Sequence, residues 1–316
     1  MDIGGFFKRR SPFPLTLNMN LVILGVIGLD DIKTPFGEVE GVLGGCAAYS
    51  ACAASYFTNV GIVSVAGKDL PTKFLKLLET RKIDLSGLVL TGKNFRWSGS
   101  YEYDMNVATT LKTELNSLTD FSPKLPKLYR NAGYLMLGNA DPDLQLATIS
   151  QMENKPFIVT DSMNYWISSK RESLLKVLSK SNVIVINDGE ARQLMDTPNL
   201  IKAGQMLLDL GPEYVVIKKG EHGALLFSRH GFFSAPGYPL ESVKDPTGAG
   251  DSFAGGLIGY LAKTDDTSEQ NIRKAIIYGS CIASACAEDF SLNYLKTINK
   301  KEIEERYHVF EEIRRF

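Results

Sequence analysis

The chain has 316 residues, with 35 Lys and Arg against 36 Asp and Glu, giving a formal charge of −1. Its 44% hydrophobic and 22% charged residues are typical of a folded globular protein and argue against a disordered chain. The balanced charge argues against a dedicated nucleic-acid binder, and the longest apolar run, residues 21–29, is too short to cross a membrane. We therefore expect neither nucleic acid nor a membrane as a partner.

The first residues of the chain resemble a secretory signal only in part. Lys8, Arg9 and Arg10 precede the apolar run, but two aspartates close that run and no small-residue cleavage site follows it. Residues 1–18 are therefore predicted to be a disordered extension. Residues 19–316 are predicted to form the folded domain.

Cysteine and histidine usage narrows the class of site. The cysteines lie in Ala-rich, apolar stretches, and the sequence contains neither a Cys-x-x-Cys nor a His-Glu-x-x-His motif. This pattern argues against a structural zinc site and against a zinc protease. Cysteine in such a setting behaves as a small hydrophobe, so we expect buried free thiols and a reducing, cytoplasmic location. The cysteines are Cys46, Cys52, Cys281 and Cys286.

Short apolar runs alternate with helical patterns along the chain. The runs are continuously apolar, which indicates parallel strands that are buried on both faces. They cover residues 21–27, 61–65, 134–137, 157–160, 183–186, 214–217 and 224–227. Helical patterns cover residues 71–82, 144–152, 174–178, 249–261, 269–287 and 302–316. The alternation predicts an α/β fold with a doubly wound, mostly parallel sheet flanked by helices.

One segment, residues 95–103, has a different period. Its odd positions are apolar, aromatic or glycine and its even positions are polar, which predicts a strand with one face in water. Such a strand is too polar for the central sheet. We therefore expect a small β-sheet lid built from segments at about 33–43 and 93–115, with residues 35–42 pairing beside residues 95–103. The odd positions are Phe95, Trp97, Gly99, Tyr101 and Tyr103.

The lid aromatics have two interpretations. They stack on a bound ligand, or they pack the lid against the body of the protein or against a second subunit. An open small sheet also leaves a free edge, so a homodimer formed through the lid is a further hypothesis.

The strongest chemical signal runs from residue 245 to residue 256, with the sequence DPTGAGDSFAGG. Gly248 and Gly250 allow the backbone to approach a ligand closely, and a helix is predicted to begin at this point. The free N–H groups and the positive dipole of a helix N-terminus form an anion site. Asp251, in the first turn, is then either a carboxylate that complements the dipole or a base that accepts a hydroxyl proton during phosphoryl transfer. Local physics alone does not choose between these roles.

This string resembles the C-terminal signature of the ribokinase-like (PfkB) family of carbohydrate and nucleoside kinases. The resemblance implies a ribokinase-like fold and a phosphotransferase that uses ATP and Mg²⁺. It also implies that Asp251 is the catalytic base. The backbone N–H groups of Gly248, Ala249 and Gly250 would form the anion hole for the transferring phosphoryl group.

Other segments extend the resemblance to the nucleotide side. Asn187 and Glu190 resemble the family's Asn-x-x-Glu element, which implies that Glu190 orders Mg²⁺ through water. Lys219, Gly220 and Gly223 resemble the turn that lines the nucleotide phosphates and ribose. Many family members also use a monovalent cation such as K⁺ near the segment that matches residues 245–247, and Thr247 is assigned to the cofactor side on that basis.

The resemblance also assigns residues to the acceptor substrate. Asp30, at the end of a predicted strand, resembles the family's anchor for substrate hydroxyls, and Gly44 and Gly45 resemble its double glycine at a helix start. Asn164 follows another predicted strand, where the family has polar residues near the phosphates.

The family pattern usually continues as Gly-Gly-x-x-x-Asn, and this sequence departs from it because Tyr49 takes the place of the Asn. Tyrosine offers a flat face and one hydroxyl, which favours a substrate with a ring to stack on. Together with Trp97 on the lid, this variant favours a nucleoside, adenosine-like, as the substrate. The alternatives are a kinase of a free sugar such as ribose or fructose, or a non-catalytic nucleotide-binding protein.

Overall fold

The computed structural model describes residues 19–315, so the extension predicted for residues 1–18 lies outside the described residues. In chain order the strands are β1 (Leu21–Leu24), β2 (Gly28–Thr34), β3 (Gly37–Gly44), β4 (Val60–Ala66), β5 (Ile83–Leu90), β6 (Phe95–Tyr101), β7 (Ala108–Glu114), β8 (Tyr134–Leu137), β9 (Phe157–Asp161), β10 (Val183–Asn187), β11 (Tyr214–Lys218), β12 (Ala224–Ser228) and β13 (Gly231–Ala235). The α-helices are α1 (Cys46–Ala54), α2 (Thr72–Thr80), α3 (Pro142–Ile149), α4 (Asn164–Ser169), α5 (Arg171–Leu178), α6 (Asp188–Met195), α7 (Leu200–Leu208), α8 (Ala249–Thr264), α9 (Glu269–Ala287) and α10 (Lys300–Ile313).

The central sheet has the strand order β13-β12-β11-β10-β9-β8-β1-β4-β5. All neighbours from β11 to β5 pair in parallel, as their continuous apolar sequences predict. The expectation that residues 224–227 form a parallel strand is wrong, because a three-residue 3₁₀ turn, Gly220–His222, leads from β11 straight back into β12. A connection this short can join only antiparallel neighbours.

Helices cover both faces of the central sheet, so the predicted doubly wound α/β fold is confirmed. In β1, Leu21 and Ile23 pack into one core with α1, α2, α8, α9 and α10. Val22 and Leu24 face the opposite core, which includes residues of α3 and α5. This alternation buries each strand on both sides and leaves the carboxyl ends of the strands as the open edge of the sheet.

A second sheet, the lid, has the strand order β3-β2-β6-β7. The predicted strand at 95–103 is β6, but residues 35–42 do not pair beside it, because β2 lies between β3 and β6. The expected strand at 21–27 ends at Leu24. The chain then re-enters as β2, so Asp30 lies inside a lid strand and not at the end of a central strand.

Candidate active site

The glycine turn lies directly before α8. Gly248 has φ +76° and is the N-cap of that helix, so it occupies a left-handed conformation that favours glycine. The N–H groups of Gly248 and Gly250 have no backbone or side-chain acceptor among residues 19–315. The N–H of Ala249 differs from the expected role, because it donates to the carbonyl of Pro246 at 3.0 Å. Two of the three expected amides are therefore available to an anion.

Asp251 lies in the first turn of α8, beside these amides. Burial raises the pKa of its carboxyl to about 7, the Asp161 carboxylate adds to the rise, and Lys218 opposes it. A carboxyl with a pKa near 7 is partly ionised at neutral pH and accepts a proton there efficiently. The structure therefore places a carboxyl that can accept a proton beside the free amides of the glycine turn.

An ion pair that the sequence motifs do not predict lies next to this turn. Lys218 Nζ lies 3.2 Å from Oδ1 and 3.2 Å from Oδ2 of Asp161. Asp161 ends β9 and Lys218 ends β11, and β10 lies between the two strands. The sequence signal that could have indicated this pair is a charged residue at the carboxyl end of each of two apolar strands.

The Asn187–Glu190 element forms the start of α6. The Asn187 side chain accepts from the N–H of Glu190 and the Glu190 side chain accepts from the N–H of Asn187, both at 2.8 Å, which is a capping box. Burial raises the pKa of Glu190 to about 7, and the Lys218 charge opposes that rise. Carboxylate and amide oxygens are ligands that Mg²⁺ accepts, so the donor set fits an ion that also uses phosphates and water.

The segment expected to line the nucleotide forms a tight turn between β11 and β12. The N–H of Lys219 donates to the carbonyl of Gly223 at 2.7 Å, and Gly220 and Gly223 have φ of +56° and +81°. The lid reaches this turn, because Asn106 Nδ2 donates to Glu221 Oε1 at 3.2 Å.

The residues expected to bind the acceptor, Asp30, Gly44 and Gly45, lie together. A Cβ on Gly44 would lie 1.9 Å from a carboxylate oxygen of Asp30, so only glycine allows this approach. Burial raises the pKa of Asp30 to about 8, and the charges of Asp245 and Asp251 add to the rise. The expected substrate anchor therefore shares one electrostatic environment with the expected base.

The lid places Trp97 on the same face as Asp30. The two residues are direct register partners across β2 and β6, and partners in a sheet project their side chains to the same side. The Trp97 ring covers Gly99, where a Cβ would lie 2.2 Å from the ring. Thr247 joins the lid to the glycine turn, since its hydroxyl donates to the Tyr101 hydroxyl at 3.2 Å.

Two expected substrate residues are placed differently. Tyr49 is 1% exposed and lies under the glycine turn, where a Cβ on Gly248 would be 2.4 Å from the ring. A ring covered in this way has no free face for a ligand, so the stacking role expected for Tyr49 is not available to it. Asn164 begins α4 and is exposed, and its carbonyl accepts from Gln193 of α6 at 3.5 Å.

Residues 26–298 match the model of the pfkB family carbohydrate kinases. The cytidine kinase of Thermococcus kodakarensis is 29% identical over 249 residues, which span 77% of this chain and 88% of that protein. The adenosine kinase of Saccharomyces cerevisiae is 24% identical over 280 residues, 81% of each chain.

A crystal structure of a putative ribokinase II from E. coli in complex with ATP and Mg²⁺ has the same fold, with a TM-score of 0.77 at 17% identity. The match covers 92% of this chain and 99% of that one. Within residues 19–315, no helix has both the length and the apolar character needed to span a bilayer. The chain therefore belongs to the pfkB family of carbohydrate kinases and is a nucleoside or sugar kinase, a phosphotransferase that acts on an alcohol group.

Proposed function

We propose that this enzyme transfers the γ-phosphoryl group of MgATP to the primary hydroxyl of a nucleoside, with Asp251 as the general base. The observation that carries the proposal is the position of Asp251 in the first turn of α8, with a pKa raised to about 7, beside the unpaired amides of Gly248 and Gly250. A proton acceptor and an anion site at one helix terminus are what in-line phosphoryl transfer needs.

In this mechanism the N–H groups of Gly248 and Gly250 hold the transferring phosphoryl group, and the dipole of α8 favours its negative charge. Asp251 takes the proton from the attacking hydroxyl. Asn187 and Glu190 would hold Mg²⁺, in part through water, and the bound ion would neutralise phosphate charge. The lid covers the acceptor and excludes water, which suppresses hydrolysis of ATP.

The lid supports a nucleoside rather than a free sugar as the acceptor. Asp30 and Trp97 share one lid face, so a carboxylate for hydroxyl groups and an indole ring for a base face the same space. The names of two relatives, cytidine kinase and adenosine kinase, support the same class. An adenosine-like acceptor is our first candidate. Cytidine is the second, favoured by the more similar of these two relatives.

Three further expectations accompany this proposal. A monovalent cation such as K⁺ is expected beside residues 245–247, and a homodimer is expected through the lid, whose outer strands β3 and β7 each have one unpaired edge among the described residues. The cytoplasm is the expected location, on the basis of cysteine usage.

The proposal is tested by ADP formation with purified protein, MgATP and a panel of acceptors: adenosine, cytidine, inosine, guanosine, ribose, fructose and fructose 6-phosphate. Asp251→Asn is expected to reduce kcat by about 10²–10⁴-fold, because general-base catalysis contributes that much. Nucleotide binding should persist, since Asn keeps the shape of the side chain.

Asp265→Asn is the matched control. It changes an exposed carboxylate at the other end of α8, at a left-handed position that Asn tolerates. Turnover of a nucleoside that depends on Asp251 and not on Asp265 would support the proposal. Turnover of free sugars alone would contradict the nucleoside assignment, and full activity of Asp251→Asn would contradict the assigned base.

A further inference from the structure

We propose that Lys218 is a further catalytic residue, whose ammonium group binds the transferring phosphoryl group together with the Gly250 amide, and that Asp161 is the positioning residue that holds Lys218 there. This inference rests on the proposed kinase function. The sequence motifs do not include Lys218 or the pair that it forms with Asp161.

Lys218 lies beside the glycine turn that precedes α8. A Cβ built on Gly250 would be 3.2 Å from Lys218 Nζ, so the ammonium occupies the space directly beside the anion-binding backbone. The Lys218 side chain is 16% exposed and that of Asp161 only 4%. The lysine therefore borders the open side of the site, whereas its carboxylate partner is covered behind it.

The charge balance around Lys218 also favours an anionic ligand. An ammonium group has three N–H donors, and the two hydrogen bonds of Lys218 among the described residues are both to the carboxylate of Asp161. Burial alone would lower the pKa of Lys218, but the carboxylates of Asp161, Glu190 and Asp251 outweigh burial and raise it. The lysine is thus charged at neutral pH and keeps a donor for a phosphate oxygen.

A purely structural ion pair that joins β9 to β11 is the competing interpretation. It predicts that loss of Lys218 affects stability alone. The catalytic assignment predicts in addition that loss of Lys218 weakens recognition of the third phosphate of the nucleotide. The two interpretations separate when a nucleotide with three phosphates is compared with one that has two.

The test is calorimetric titration, in the presence of Mg²⁺, with ADP and with AMP-PNP, a non-hydrolysable analogue of ATP. Lys218→Met is expected to reduce the affinity for AMP-PNP relative to that for ADP by about tenfold or more, the effect of losing one charge-assisted hydrogen bond. Lys176→Met is the control, because it removes a lysine from the exposed ion pair with Glu172. Its affinity ratio should equal that of the wild type.

Lys218→Met leaves the Asp161 carboxylate buried without its partner and risks misfolding. The double variant Lys218→Met with Asp161→Asn removes both charges and should fold, and it should show the same loss of the AMP-PNP preference. An unchanged affinity ratio in both folded variants, or a wild-type protein that binds neither nucleotide, would overturn the assignment.

The pH dependence of kcat/KM tests separately whether the charges of Lys218 and Asp161 act on the proposed base. Asp251 faces the charges of Lys218 on β11 and Asp161 on β9, which act on its pKa in opposite directions. Lys218→Met should therefore move the acid limb of the profile to higher pH, and Asp161→Asn should move it to lower pH. Changes in the same direction, or no changes, would contradict the assignment.

The binding arm does not depend on the acceptor. If no acceptor is phosphorylated but the AMP-PNP preference responds to Lys218, the proposed function fails and the role of Lys218 in phosphate binding stands. If a nucleoside is phosphorylated and the preference is unchanged in Lys218→Met, the function stands and the assignment of Lys218 is wrong.

Discussion

Three buried carboxyl groups set the electrostatics of the site. Burial raises the pKa of Asp30 to about 8 and those of Glu190 and Asp251 to about 7, and neighbouring carboxylates add to each rise. Near neutral pH these groups share protons, so the unliganded site carries less negative charge than its composition indicates. A triphosphate therefore meets less repulsion than three fully ionised carboxylates would cause.

The pH dependence of turnover should report Asp251. A general base acts only when it is ionised, and the pH dependence of kcat/KM reports the pKa values of the free enzyme. We therefore expect kcat/KM to fall as the pH drops through about 7, the value to which burial raises the pKa of Asp251. An ordinary aspartate would place this limb near 4. The measurement is kcat/KM for MgATP and for the acceptor across the range from about pH 5.5 to about pH 9.

The Asp265→Asn variant should keep the same acid limb, because its carboxyl is exposed and far along α8 from the turn. A wild-type rate that stays level down to about pH 5.5 would show that the rate is not limited by a base with a raised pKa.

Single residues also show what the sequence could and could not predict. The position of Asp251 in the first turn of a helix was predictable, because consecutive residues specify the glycine turn and the helix start around it. The Asp161–Lys218 pair was not predicted, because 57 positions and an intervening strand separate its members along the chain and in the sheet. Tyr49 was misassigned because a ring at the start of a helix gives no sequence signal for the side on which it packs.

A hydrogen bond from the Thr247 hydroxyl to that of Tyr101 joins the lid to the glycine turn that precedes α8. Tyr101→Phe removes this bond and keeps the ring, so the closed lid should lose about 1 kcal/mol of stabilisation. We expect the KM for the acceptor to rise about fivefold with little change in the KM for ATP. Steady-state kinetics with the acceptor varied would measure this.

Tyr103→Phe is the matched control, because Tyr103 lies two residues further along the lid and is 97% exposed. It should behave as the wild type. If both variants behave alike, the Tyr101 hydroxyl does not hold the lid.

The elements that were predicted well are the ones with a clear hydrophobic period. The strand at 134–137 and the helix at 269–287 have the predicted bounds, since each is buried enough to show its pattern. The strand β2 was missed because Asp30 and Asp31 interrupt its apolar character, and β7 because every residue of it before Glu114 is exposed. The residues of an exposed lid strand do not pack into the core, so the strand shows no hydrophobic period.

Among the described residues, the charged groups of the site lie far apart in the sequence, and the packing of the elements that carry them brings them close together. The helix α1 carries the double glycine at its start and lies against α8, where the Ser50 hydroxyl donates to the carbonyl of Asp251 at 3.0 Å. A Cβ on Gly255 would lie 2.3 Å from the carbonyl oxygen of Ser50, so the two helices approach as closely as glycine permits. The double glycine before α1 and the glycine turn before α8 are therefore held together by the packing of these two helices.

The burial of Asp30, Glu190 and Asp251 makes the stability of the whole fold depend on pH. A carboxyl whose pKa is raised in the folded state binds a proton more tightly there than in the unfolded chain, so the folded state holds more protons between about pH 4 and about pH 8. The free energy of unfolding then falls as the pH rises through this range, and each such carboxyl lowers it by about 1.4 kcal/mol per pH unit between its unfolded and folded pKa values. Asp30, whose pKa rises from 3.8 to about 8, should contribute most of the loss at the alkaline end.

We therefore expect the unliganded protein to unfold several degrees lower at about pH 8 than at about pH 5.5. Asp30→Asn mimics the neutral carboxyl and cannot ionise, so it should raise the unfolding temperature at the higher pH and reduce the difference between the two conditions. Asp120→Asn, at an exposed position, should leave the difference unchanged. A wild-type protein that becomes more stable as the pH rises would contradict the raised pKa values, because a carboxyl whose pKa is raised in the fold can only reduce the stability over this range.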